Sequence, residues 1–281
     1  MAQVHPHLIG LGHEDLVDVT VAAATPADVC FSCMPSGALA GLVDTIKAPL
    51  VVDLSDDHRA VDGWVYGLTE HARADVADST AIANPGCYPT ATLLGLLPFV
   101  KAQVIGSGPV IVDAMSGVSG AGKGLDDSLS FSALYGDVAA YGPAFHRHVP
   151  EMERGLEKLG GHRMAVSFTP HLVPIARGLL VTARAAASSK LDDTIAIEIL
   201  NEAYNNDPFV TVIDGWPSAK AVAGTNRAIV SARMDTRTGL LIVSSAIDNL
   251  GKGAAGQALQ NANIALGLTE TAGLEQVAAW P

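Results

Sequence analysis

In NPGCYPTAT, residues 84–92, a single cysteine follows a Pro-Gly pair and leads into an apolar run, LLGLLPFV. Pro85 and Gly86 read as a turn, and Pro89, whose ring fixes φ, suits the first turn of a helix. This spacing places Cys87 near the positive end of a helix dipole, where a thiolate is stabilised and its pKa lowered, as a nucleophile requires. A small buried structural cysteine satisfies the same spacing. A second group is PAFHRHVPEME, in which His146 and His148 flank Arg147 ahead of another helical pattern. Histidines two apart on an extended segment share a face, which would suit a metal, but no further Cys or His at ligand spacing accompanies them. A base for the thiol is the better chemistry, because Cys with His recurs as nucleophile and general base; two surface histidines are the plain alternative. The third group is SGVSGAGKG, residues 116–124, directly after an apolar strand-like run. Residues 117–123 satisfy G-x-x-x-x-G-K, yet Gly124 stands where a P-loop needs Ser or Thr, and LDDSLSFSALYG is a poor start for the helix a P-loop requires. A glycine loop offering backbone N–H groups to an anion remains.

The elements that must hold these groups change character halfway along the chain. DVCFSCM (28–34), GALAGLVDTIK (37–47), PLVVDLS (49–55), the helix from 89 to 100 and GPVIVDAMS (108–116) alternate strand and helix, which implies a parallel sheet with crossover helices. PEMERGLEKLG reads as a helix, MAVSFTPHLVP and GLLVTARAAA as strands, and KLDDTIAIEILNEAYNND as a helix with acidic residues at its start. FVTVID, RAIVSARMD and LLIVSSAID are strands, with DTRTG turning between the last two, and GKGAAGQALQNANIALGL closes the chain as a small-residue helix. The second half is therefore α+β with much antiparallel sheet. Cys30 and Cys33 lie three apart on a strand, so their sulfurs diverge; they read as small core residues and not as a redox pair.

With 49% apolar and 16% charged residues, the 281-residue chain is globular and long enough for two domains. Its longest apolar runs fall far short of the roughly 20 residues that span a bilayer, and MAQVHPHL lacks a basic segment followed by an apolar one, so a soluble cytoplasmic protein is expected. A net charge of −12 argues against nucleic acid or an anionic membrane as partner. A small anionic substrate would need a local cationic pocket, for which Arg59, Lys123, Arg147, Arg177 and Lys252 are the candidates.

NPGCYPTA, together with VVDLSDDHR, YGLTE, SGVSGAGK, HRHVPE, FTPHLVPIARG and AIDNLGKGAAGQALQNAN, resembles the N-acetyl-gamma-glutamyl-phosphate reductase family of arginine biosynthesis. The blocks stand in the family's order from about residue 4 to residue 273. The resemblance implies an NADP-dependent enzyme, a dimer or tetramer, in which Cys87 attacks a small acyl phosphate, expels phosphate and leaves a thioester for hydride reduction. His148 is the favoured base and acid, with His146 a substrate contact. Arg59, in a block that usually reads Asp-Phe-Arg and is Asp57-His58-Arg59 here, would face the substrate carboxylate, with Ser55, Arg147 and Arg177 as further substrate-side residues. Asn249, Lys252 and Gly253 would lie near the nicotinamide, Ser119, Gly120 and Gly122 beside the cofactor or substrate phosphate, and Pro35 and Gly37 on the cofactor side. The implied fold is a truncated Rossmann-like parallel-sheet domain, residues 1–86 with the C-terminal helix 251–281, and an α+β catalytic and dimerisation domain with a mostly antiparallel sheet, residues 87–250.

The sequence departs from the family on the cofactor side. VHPHL matches a stretch that normally comes after the family's second strand, so the first βα unit and its glycine-rich turn do not appear. Gly10-Leu11-Gly12 has no strand before it, and Asp15 stands at the third glycine position. Leu-Pro-His-Gly of the family is Met34-Pro35-Ser36-Gly37 here, and the segment from Arg59 to Tyr66 is short. These differences predict weak NADPH binding by this chain, as a fragment or as a natural truncation, and fluorescence titration measures it. A related reductase acting on an aminoadipyl phosphate held by an acidic carrier shares these blocks but needs a basic face that the sequence does not show. A catalytically silent paralogue kept for binding or assembly is a different class, opposed by the intact Cys87 and His148, and a cysteine hydrolase is the last alternative, against which the nicotinamide-side block DNLGKGAAGQ speaks.

Overall fold

The structure is a computed structural model and describes residues 18–279 except 107, 123, 125, 143, 144 and 188–190. Gly10-Leu11-Gly12 and Lys123 lie outside the described residues.

The first half begins with α1 (Val19–Ala24), whose N-terminus is capped by the Asp18 carboxylate accepting the Thr20 N–H at 2.9 Å. It continues through β1 (Val29–Ser32), β2 (Leu50–Asp53), β3 (Val65–Tyr66), α2 (Thr69–Ala77) and β4 (Ala81–Ala83). The strands form one parallel sheet in the order β1-β2-β4-β3. Every residue of β2 is buried, as expected of a strand covered on both faces. The helix expected over 37–47 is replaced by turns and a short 3₁₀ turn, Val43–Thr45. Gly37 opens the segment at φ 83°, outside the helical region. The crowded β-branched side chains of Val43, Thr45 and Ile46 disfavour a full helix over the second half of the segment. Cys30 is half-buried and Cys33 exposed, so neither is the core residue expected of it. Cys33 lies one residue beyond the strand expected to bury it.

The centre of the molecule is α3 (Cys87–Lys101), in which every residue from Tyr88 to Val100 is buried. A helix apolar all round must be covered all round. On one side it packs on a seven-stranded sheet made of β5 (Val110–Ser116), β6 (Ala139–Ala140), β7 (Val166–Leu172), β8 (Leu179–Ala186), β9 (Val210–Val212), β10 (Ala228–Asp235) and β11 (Leu240–Ile247). The order is β6-β7-β5-β8-β11-β10-β9, with β7 and β5 parallel, β9 and β10 parallel, and the other neighbours antiparallel. Strand β5 shows the period-two pattern that sets its faces: Val110, Val112, Ala114 and Ser116 are buried, whereas Ile111 and Met115 are exposed. The short helix α4 (Phe131–Leu134) lies between β5 and β6 in the chain. Helix α5 (His148–Gly160) packs beside α3 and stops at Gly161, whose φ of 75° suits a C-terminal glycine. Helix α6 (Asp193–Tyr204) also covers the core, its N-terminus capped by Asp192. The expected turn at DTRTG is present, with the Asp235 carboxylate accepting the Arg237 N–H at 3.0 Å.

After β11 the chain makes a π-turn, Gly251–Ala255, and enters α7 (Gly256–Ala265), which returns to pack on α2 and β2. Lys252 of the π-turn is fully enclosed: its ammonium is 2.6 Å from the Glu70 carboxylate on α2 and 2.8 Å from the side-chain amide oxygen of Gln260. Breaking one partner of such a pair leaves an uncompensated buried charge, typically worth about 3–5 kcal/mol. The pair thus joins the end of the second sheet's chain to the helix layer of the first.

Candidate active site

Strand β4 delivers the chain into the turn Asn84-Pro85-Gly86, and that turn is held from beneath. The Arg59 guanidinium donates to the carbonyls of Asn84 (2.9 Å) and Leu54 (3.0 Å) and to the Glu151 carboxylate (2.8 Å). The other oxygen of Glu151 accepts the Gly86 N–H (2.9 Å) and the Tyr66 hydroxyl (2.8 Å). Helix α3 then starts, with the Thr90 N–H reaching the Gly86 carbonyl at 2.9 Å. Gly86 is needed for close approach, because a Cβ there would stand 2.6 Å from Nε2 of His148. From the opposite side, a Cβ on Gly253 of the π-turn would lie 2.7 Å from Cβ of Cys87. Gly253→Val is therefore expected to displace the thiol and lower turnover by about 10²-fold, as misplacing a reacting group by an ångström can do. Steady-state kinetics on the folded variant measures this.

Part of the Cys87 side chain reaches the cavity, but protein surrounds most of it. Burial pushes its pKa up to about 11, and the Glu151 charge acts in the same direction. The N–H groups of Tyr88 and Cys87 and the Arg59 charge oppose this and lose. The helix terminus is present as the sequence suggested; the lowered pKa is not, because desolvation outweighs it. The ligand-free chain should accordingly show Cys87 alkylation that rises about tenfold per pH unit from neutrality to near pH 10. Mass mapping reads this, and a plateau below pH 8 would refute it.

His148 is the first residue of α5 and is buried, and its Nδ1 has no hydrogen-bond partner. Burial, then the positive charge of Arg59, holds its pKa well below the usual histidine value, so the ring is neutral at pH 7 and able to accept a proton. His146 is shifted down in the same way by burial and Arg147, but its Nδ1 accepts the His148 N–H at 3.2 Å. The Tyr88 ring packs edge-on against both imidazoles, with centroids 5.6 and 5.9 Å away, and its hydroxyl is 2.6 Å from that of Tyr141.

These side chains open on one cavity of about 550 Å³. Its walls bring together Cys87, His146, Arg147, His148 and Gly120, with Ser116, Gly117, Ala121, Asp126, Asp137, Leu134 and Tyr141. Ser119 lies in the adjoining 3₁₀ turn, Val118–Ala121, and its hydroxyl is buried without a partner. The turn also consumes the N–H groups that the sequence reading offers to an anion. Those of Val118 and Ser119 donate to the carbonyls of Ile175 and Ala176, and those of Gly120 and Gly122 to Gly117 and Ser119.

Other expected site residues stand behind the walls. The Asn249 amide accepts the Gly178 N–H and donates to the Ser116 hydroxyl, both at 2.8 Å, so it fixes the back of the glycine loop. Ser55 donates to Asp53 at 2.7 Å and accepts the Asp57 N–H. The Gly37 N–H, two residues after Pro35, donates to the Asp57 carboxylate. The expected set of free cations is corrected: Arg59 and Lys252 are enclosed in ion pairs, and Arg177 is paired with Asp248 at 2.6 Å. Among the described residues, Arg147 is the cation that lines the cavity; it is largely exposed and 3.6 Å from Asp56. Glu151 and Asp248 drew no attention as sequence. Asp248 accepts the N–H groups of Gly224, Leu250 and Gly251 as well as Arg177, and so sets the π-turn behind Cys87. Only its place beside the Asn-Leu-Gly-Lys block hinted at this.

Residues 87–249 match the family described as semialdehyde dehydrogenase, dimerisation domain. Over 98% of the chain, it is 42% identical to an N-acetyl-gamma-glutamyl-phosphate reductase from Frankia casuarinae, covering 86% of that protein. A protein of the same name from Desulforamulus reducens is 38% identical over 100% of the chain and 88% of its own length. Among solved structures, aspartate semialdehyde dehydrogenase II from Vibrio cholerae superimposes with a TM-score of 0.71 at 18% identity, over 85% of this chain and 80% of that one. That likeness establishes the α/β fold.

Proposed function

The chain belongs to the N-acetyl-gamma-glutamyl-phosphate reductase family, and from that footing we propose that it reduces N-acetyl-gamma-glutamyl phosphate to the semialdehyde through a thioester on Cys87, in cytoplasmic arginine biosynthesis. The observation that carries this reading is the thiol at the mouth of α3 beside a neutral, buried His148 on one cavity.

His148 takes the proton of the Cys87 thiol as Sγ attacks the acyl carbon. The S–C bond forms, the bond from that carbon to the phosphate oxygen breaks, and phosphate leaves with the electron pair. N–H groups at the start of α3 face the oxyanion, a contribution of roughly 3–4 kcal/mol per donor. A thioester accepts hydride where a carboxylate does not, and this is why a covalent step is used. When the reduced adduct collapses, Cys87 departs with its electron pair and recovers the proton held by His148. Arg147 and His146 meet the anionic substrate.

Reductases of this family are nicotinamide-dependent, and we assign NADP here. The cavity fits the nicotinamide end: Gly117, Gly120 and Ala121 keep one wall free of bulk, and the Ser119 hydroxyl is buried and unpaired beside it. Bound there, the reduced cofactor supplies the hydride for the thioester carbon. Ser119 and Gly120 would contact it, with Gly122, Asn249 and Gly253 shaping the surroundings. We further divide the chain into a nucleotide-side unit, 1–86 with 251–281, and a catalytic unit, 87–250. The dimerisation description of the matched family supports a homo-oligomer. Among the described residues no helix is long and apolar enough to cross a membrane.

The test is NADP-dependent oxidation of N-acetylglutamate semialdehyde with added phosphate. NADPH formation that requires phosphate supports the reading. Turnover of aspartate semialdehyde in its place would overturn it.

A further inference from the structure

The family resemblance sets Arg59 against the substrate carboxylate, but its guanidinium points elsewhere. All three of its nitrogens donate inward, to Asn84, Leu54 and Glu151, and its side chain is 9% exposed. It does not line the cavity. The Glu151 side chain, 7% exposed, accepts from Arg59, the Tyr66 hydroxyl and the Gly86 N–H. Three segments far apart in sequence, at 54–66, 84–86 and the first turn of α5, therefore meet at one carboxylate. The residue that carboxylate grips is the one immediately before the nucleophile, and the same helix turn carries His148.

We infer that Arg59, Glu151 and Tyr66 are positioning residues, an enclosed ion pair and phenol that hold the Asn84-Pro85-Gly86 turn, and with it Cys87, against His148. The guanidinium is enclosed and away from the cavity lining, and a substrate carboxylate that took the place of Glu151 on it would release the Gly86 N–H at the same moment. This geometry suits arginine, whose fork can grip a carboxylate and two carbonyls at once, where a lysine ammonium cannot.

The electrostatics offer a readout that does not depend on turnover. Groups facing the Cys87 thiol are Glu151 from α5, Arg59 from the loop after β2, Tyr88 beside it on α3, Tyr141, and the His146-Arg147-His148 run. Of the ion pair, the carboxylate pushes the thiol's pKa up and the guanidinium pulls it down.

The inference rests on Cys87 as nucleophile but not on the identity of the acyl phosphate, so its test begins with alkylation. Iodoacetamide labelling of Cys87, followed by mass mapping across the alkaline range, is compared for the native chain, Glu151→Gln, Arg59→Met and the double variant. Glu151→Gln is expected to move the midpoint down and Arg59→Met to move it up. In the reductase assay both singles should lose about tenfold or more in kcat with KM within about threefold. The double variant should recover part of the loss of Arg59→Met, because it no longer leaves Glu151 buried and unpaired. Arg59→Lys keeps the charge and loses the fork; it should lower kcat with the alkylation midpoint nearly unchanged, and it serves if Arg59→Met does not fold. A rise of about tenfold or more in KM with kcat preserved, in Arg59→Met or Arg59→Lys, would overturn the inference in favour of a substrate contact. Midpoints that move together in the two single variants would also overturn it.

Discussion

Cys87→Ser should fold as the native chain does and lose turnover by about 10⁴-fold or more, the scale on which removal of a covalent nucleophile is felt. The substitution changes one atom, and the surroundings that fix it remain: Gly253 behind, the Gly86 turn before, the Tyr88 ring beside. What disappears is the sulfur's nucleophilicity and its ability to leave as a thiolate when the reduced adduct collapses. A serine ester is also a poorer hydride acceptor than a thioester. Rapid quench with the acyl phosphate, or with the aldehyde and NADP, would detect the acyl-enzyme in the native chain and none in the variant. A Cys87→Ser variant within about tenfold of native would show that the reaction passes by direct transfer and that the thiol is a bystander.

His148→Asn should lower kcat by about 10²- to 10⁴-fold, the usual worth of general acid-base help, with only a small change in KM. The same change at His146 should act mainly on KM. The structure separates the two: Nε2 of His148 lies against Gly86, the residue before Cys87, and Nδ1 of His146 is occupied by a backbone N–H. Because the His148 pKa lies well below the ordinary histidine value, the ring remains neutral as pH falls through neutrality. The acid limb of kcat/KM should therefore begin below the range where a free histidine titrates, and protonation at lower pH removes the base. If His146→Asn is the crippling variant and His148→Asn the mild one, the roles are exchanged.

The sequence carried the order of strands and helices well where burial and periodicity agree. The alternation in VIVDAMS and the unbroken apolar run of α3 translate directly into a one-sided strand and an enclosed helix. It misled over 37–47, where an apolar repeat resembles a helix but Gly37 takes a left-handed turn. It also placed Cys33 indoors because the residue type is usually buried, whereas the strand ends one residue earlier. At the site, the thiol at a helix mouth and the two histidines that share its cavity were legible because those motifs are local. Net electrostatics were not, since the balance at Cys87 depends on how much protein covers it and on Glu151, far along the chain. Arg59 and Lys252 look alike as sequence, as unpaired cations near functional blocks. Only the fold supplies Glu151 to one and Glu70 to the other.

The resting thiol has a consequence for its own oxidation. With a pKa near 11, only about one molecule in 10⁴ carries Cys87 as thiolate at neutral pH, and it is the thiolate that peroxide oxidises to sulfenic acid. A thiol stored in protonated form is a slower target for peroxide than a cysteine that rests ionised. On the proposed route the thiolate forms only as His148 takes the proton, and the electrophile it then meets is the substrate's acyl carbon.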